Sequence, residues 1–97
     1  VRKVVERIQR NPQVQLALLF GSYASGTATE TSDIDLFVET ENRKLKRELE
    51  LLDSGLSVKI GRFDPRSPLG KEIERNHVIV KGAELFYDRL GIFSEAP

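Results

Sequence analysis

The chain has 97 residues, enough for one hydrophobic core and too few for two. Fifteen basic and fifteen acidic residues balance to a formal net charge of +0, so no broad positive field exists to hold a nucleic acid by charge alone. Without cysteine, disulfides, thiolate nucleophiles and sulfur-built zinc sites are excluded, and the longest apolar run, Leu16 to Phe20, is far too short to cross a bilayer. These bounds lead us to expect one α/β domain over residues 1–97, placed in the cytoplasm and not in a membrane.

Val1, Val4, Val5 and Ile8 recur at helical spacing, predicting a first helix that stops near Asn11, before Pro12. Val14 to Phe20 reads as a buried strand ended by glycine, followed by a short helix after Ser22 and a loop from Thr27 to Ser32. Ile34, Leu36 and Val38 alternate with Asp33, Asp35 and Phe37, a strand with one apolar face and one mostly acidic face. Asn42 is placed to cap a helix whose stripe is Leu45, Leu49 and Leu52, with Gly55 ending it. Val58 and Ile60 suggest a strand, and Ser67-Pro68 is a helix start running to about Asn76. Val78 to Val80 and Ala83 to Tyr87 read as strands joined at Lys81-Gly82, before a loose tail from Gly91 to Pro97. The order predicts helices packed against one mixed sheet.

The chemistry concentrates between Leu19 and Leu36. A glycine directly after a buried strand permits a tight turn and lets backbone N–H groups approach a phosphate, so Gly21 and Ser22 form a candidate phosphate cradle. Asp33 and Asp35, two apart on a strand, point to one face, where like charges are costly unless a hard cation lies between them. Magnesium or manganese suits such an oxygen pair. Gly21, Ser22 and Ser32 are therefore the candidate nucleotide-binding residues, and Asp33 and Asp35 the candidate metal ligands and catalytic residues.

Gly21-Ser22, ten residues, then Asp33-Ile34-Asp35 resembles the signature of the DNA polymerase beta-like nucleotidyltransferases, especially their minimal archaeal and bacterial members. The resemblance is specific from Leu19 to Val38 and looser over the rest of the chain. It implies a nucleotidyltransferase fold and attack by an acceptor hydroxyl on the α-phosphorus of a nucleoside triphosphate, releasing pyrophosphate. It further implies a small helical HEPN-type partner protein, while the short chain leaves a homodimer open.

Two positions depart from that pattern. A third carboxylate belongs on the later strand, and the matching stretch is Val58-Lys59-Ile60, which puts a lysine there as a site modifier. Asp64 or Glu39 would supply the acid under another register, although Asp64 precedes Pro65 and reads as a turn residue. Ser25 stands where many relatives carry a basic residue. Lys59 thus supports an alternative, a degenerate antitoxin-like binding module acting through its partner. His77 reads as an ordinary boundary residue, and Phe86 and Tyr87 as core and rim.

Overall fold

A computed structural model describes residues 2–91. The elements in chain order are α1 (Arg2–Arg10), β1 (Val14–Phe20), α2 (Ser22–Ser25), β2 (Ile34–Thr40), α3 (Leu45–Leu52), β3 (Leu56–Ile60), α4 (Pro68–Arg75), β4 (Val78–Lys81) and α5 (Ala83–Arg89). The sheet is mixed, in the order β3-β2-β1-β4. β1 runs antiparallel to both β2 and β4, and β2 runs parallel to β3 through the α3 crossover. Val1 and the tail from residue 92 onward lie outside the described residues.

Strand alternation divides the core into two layers. On one face, Ala17, Ile34, Leu36, Val38 and Val58 meet Val4 and Ile8 of α1 and Leu45 and Leu49 of α3. On the other, Leu16, Leu18, Phe20 and Phe37 meet Phe63, Ile73 of α4 and Phe86 of α5. Phe63 anchors this second layer, tilted 5.1 Å from Phe86 and edge-on 6.1 Å from Phe37. The second face of β2 is therefore open only at its start: beyond Asp35, Phe37 and Glu39 are buried. That burial was hidden in the sequence because its cover comes from helices more than thirty residues downstream.

Residues Ala83 to Tyr87 form a helix, not the expected strand. Gly82, at φ 85°, turns the chain away from β4; a Cβ there would overlap the Gln15 carbonyl and stand 3.1 Å from Leu16 Cα. Phe86 and Leu90 then share one side at i, i+4, packed against the second layer. The expected hairpin at Lys81-Gly82 gives way to a helix start, and the helical spacing of Phe86 and Leu90 fits it.

α3 also differs in its ends. Asn42 organises the turn before the helix, its Oδ1 accepting from the Lys44 N–H at 3.1 Å, and the helix starts at Leu45 with no side-chain cap. It ends at Leu52, before extended Asp53, whose carboxylate accepts from the Gly55 N–H; Gly55 is not the terminator. Leu52 is 40% exposed, so only Leu45 and Leu49 of the expected stripe reach the core. The charged face of α3 has its own use: Lys46 Nζ donates to Val58 O and Glu50 Oε2 accepts from Val58 N, both at 2.9 Å. This i, i+4 pair occupies backbone groups on the free edge of β3 and protects it from pairing with another chain. On the opposite edge, Gln9 Nε2 donates to Val80 O.

α4 follows the sequence expectation closely. Ser67 Oγ accepts from the Gly70 N–H at 2.9 Å, and Pro68 occupies the first turn, where its missing N–H costs no helical bond. Ser67→Ala should lower unfolding stability by about 1 kcal/mol, measured by chemical denaturation. His77 closes the helix, its Nδ1 2.8 Å from Ile73 O and its ring edge-on to Phe86 at 4.6 Å.

Candidate functional site

β1 leaves the sheet at Gly21, with φ 70° and ψ −149°, a backbone region essentially reserved for glycine. The antiparallel register sets Phe20 opposite Asp35, so the turn that follows lies against that carboxylate. A Cβ on Gly21 would overlap Asp35 Oδ2 and stand 3.2 Å from Asp35 Cγ. Glycine is required here both by its dihedrals and by the room the acid needs.

The next residues form the single turn of α2. Ser25 N–H donates to Gly21 O, which leaves the N–H groups of Ser22, Tyr23 and Ala24 without helical acceptors. Ser22 is the first helical residue and not the cap, a position held by Gly21 with no side-chain bond. Among the described residues its half-buried hydroxyl makes no hydrogen bond. The chain closes through Gly26, at φ 80°, with Thr27 N–H donating to Ser22 O. Ser25 bonds Ser22 O and Thr27 Oγ1, and so orders the loop. Ser32 does similar work: its Oγ accepts from the Thr29 N–H at 2.9 Å and pairs with Thr29 Oγ1 at 3.2 Å.

Asp33 is exposed just ahead of β2, while Asp35 is half-buried within it. Burial pushes the Asp35 carboxyl above the usual aspartate range; the charges of Asp33 and Glu72 push it further, and Lys59 partly opposes them. Crowding of this kind is what a bound cation relieves. Asp33 and Asp35 fit magnesium or manganese, hard ions that accept two carboxylates and complete their shell with water and phosphate oxygens. Among the described residues no group of three or more His, Cys, Asp or Glu is arranged to hold a metal ion.

On the neighbouring strand, Ser57 stands beside Asp35 in the parallel ladder and Lys59 beside Phe37. Neither alternative acid joins the pair. Glu39 is locked by Arg89 at 2.7 Å and by the Phe63 N–H at 2.8 Å, and Asp64 Oδ1 accepts from the Arg66 N–H in a turn. Sequence reading missed Glu72, whose charge reaches Asp35 from α4. No spacing rule links residues 35 and 72; only the docking of α4 over the second face does.

A strand-end glycine turn set against a carboxylate on an antiparallel neighbour, within a small mixed sheet covered by helices, defines a nucleotidyltransferase fold. The chain belongs to the family described as Polymerase beta, Nucleotidyltransferase, which matches residues 2–89. It is 46% identical over 39 residues to a proposed protein adenylyltransferase of Methanocaldococcus jannaschii, a match covering 40% of this chain and 45% of that protein. Among solved structures, a toxin–antitoxin with AMP-PNP superposes with a TM-score of 0.59 at 26% identity, over 95% of this chain and 82% of that one. A mutant of the MntA–HpeT toxin–antitoxin gives 0.57 at 25% identity, with the same coverage. The complex of a tri-AMPylated Shewanella oneidensis HEPN toxin with its MNT antitoxin shares the fold, with a TM-score of 0.53 at 20% identity over 95% of this chain and 79% of that one. Among the described residues no helix is long and apolar enough to cross a membrane.

Proposed function

We propose that this chain, as a single domain, transfers a nucleoside monophosphate from a nucleoside triphosphate to an acceptor hydroxyl. The observation that supports this reading is the packing of Gly21 directly against the Asp35 carboxylate, a strand-end turn beside a half-buried acid. The free N–H groups of α2 and the Ser22 hydroxyl receive the triphosphate oxygens. Asp33 and Asp35 hold magnesium or manganese, which when bound neutralises triphosphate charge. The acceptor oxygen forms a bond to the α-phosphorus as the bond to the bridging oxygen breaks; pyrophosphate leaves with that electron pair and the hydroxyl proton passes to solvent. Such a substrate places the activity in the cytoplasm.

The protein-adenylyltransferase relative and the toxin–antitoxin neighbours support a protein acceptor, and a HEPN-type partner is the first to test. Asp33→Asn and Asp35→Asn should each lower transfer of label from α-labelled triphosphate to that partner by about a hundredfold or more. Failure of the unmodified protein both to transfer label and to bind nucleotide with manganese sinks the reading. Lys59 favours a second one, an antitoxin-like module that binds nucleotide and partner without turnover; nucleotide binding with no transfer to any acceptor would select it.

A further inference from the structure

Lys59 stands on the strand beside Asp35, and its charge reaches that acid. Paired residues of a parallel ladder point to the same side, so Lys59 shares the face of Phe37, Asp35 and Ser57. It sits one strand across and two residues along from Asp35, roughly 8 Å by backbone geometry, a span its side chain covers. The lysine that shares its groove is engaged: Lys46 holds Glu50 and Val58 O. Among the described residues Lys59 takes part in no hydrogen bond or salt bridge, and it lines an open groove of about 560 Å³ with Ser57, Phe37, Arg43 and Leu69.

The charge of Lys59 reaches Asp35, which also carries the opposing influence of Asp33 and of Glu72 from α4. These two aspartates suffice for one divalent ion that draws its remaining ligands from water and phosphate. A second ion on the β3 side would find Ser57 and an ammonium where it needs an anion, and the ammonium would repel it.

We infer that the site takes one divalent cation with its nucleotide, and that the Lys59 ammonium serves in place of a second one by binding a non-bridging phosphate oxygen on the β3 side. Lysine suits this use, since it is a compact point charge with three donors and a flexible stem, and charge-assisted bonds to phosphate are the strong class. A tethered ammonium cannot dissociate, so part of the nucleotide's affinity becomes independent of metal concentration. This inference rests on the nucleotide-binding reading given above.

The test uses manganese and AMP-PNP with the full chain, counting bound manganese by the loss of its free paramagnetic signal and nucleotide affinity by calorimetry. The unmodified protein should bind one manganese per chain with the nucleotide, and Lys59→Asp should bind two. Lys59→Gln should retain the native melting transition and weaken AMP-PNP binding roughly ten- to hundredfold. Its residual affinity should depend more steeply on manganese. Two ions in the unmodified protein, one in a folded Lys59→Asp, or unchanged affinity in Lys59→Gln overturns the role given to Lys59. If AMP-PNP binds in an Asp35-dependent way while Lys59→Gln behaves as the unmodified protein does, only this inference falls. If AMP-PNP does not bind the unmodified protein at all, the nucleotide reading falls with it.

Discussion

Gly21→Ala is expected to abolish measurable nucleotidyl transfer. An alanine at φ 70° and ψ −149° is strained by about 1–3 kcal/mol, and its Cβ would occupy the space of the Asp35 carboxylate. One of the two must move, and either movement separates the Gly21 turn from the acid beside it. Loss of a single preorganised donor to a reacting oxyanion costs about a hundredfold to a thousandfold in rate, and here the proposed donor group and the proposed metal ligand are disturbed together. Gly26→Ala is the matched control, with a similar positive φ of 80° but nothing within 4 Å of the added methyl group. It should lose about 1 kcal/mol of stability from backbone strain and keep its nucleotide affinity. Calorimetric titration of both variants with AMP-PNP and manganese checks the contrast. Equal affinities in the two variants would show that the contact between Gly21 and Asp35 has no bearing on binding.

The largest effect on stability is expected from Arg89→Ala. The Arg89 guanidinium bonds both oxygens of Glu39, at 2.8 and 2.7 Å, and the Phe63 carbonyl at 3.0 Å, fastening α5 to β2 and to the loop after β3. The Glu39 side chain is only 8% exposed, so removing its partner strands a buried charge, at a cost of about 3 kcal/mol. The pair also sets a pH dependence. Burial raises the Glu39 carboxyl, but hydrogen bonds from Arg89 and the Phe63 N–H, with the charges of Arg89 and Arg62, outweigh it and leave the net value lowered. As pH falls, the unfolded chain therefore takes up this proton first. The contribution is fully present above the ordinary glutamate value of 4.5 and is lost as pH falls through the lower, folded value. Urea unfolding at a series of pH values from about 6 to 3 should show a steeper acid-side loss for the unmodified protein than for Glu39→Gln. Parallel pH curves would separate Glu39 from acid unfolding.

Local physics was readable in this chain wherever one short segment carried its own evidence. The Ser67-Pro68 helix start depends on bonds within four residues, and the structure shows them. The apolar strand ended by Gly21 and the alternating stretch after Asp33 each declared themselves by period and punctuation. The Gly-Ser and Asp-x-Asp spacing led to the right family because both halves of the motif sit at the ends of adjacent strands, joined by one loop. Local evidence misled where turn chemistry competed with context. Lys81-Gly82 reads as a hairpin turn, yet Gly82 and the packing of Phe86 make Ala83 to Tyr87 helical.

The sequence by itself determined the strand-turn-strand order around Gly21, since an apolar run ended by glycine and a second alternating run suffice to mark two strands and the turn between them, with Asp33 falling just ahead of the second strand and Asp35 within it. Only the tertiary structure decided what surrounds them. β3 lies parallel to β2 and brings Ser57 and Lys59 to the site, α4 brings the charge of Glu72, and Arg89 takes Glu39 out of consideration as a third acid. The physical reason is range. Hydrophobic period and turn chemistry act over a few residues, whereas the register of a crossover strand and the docking of a distant helix are set by burial summed over the whole chain.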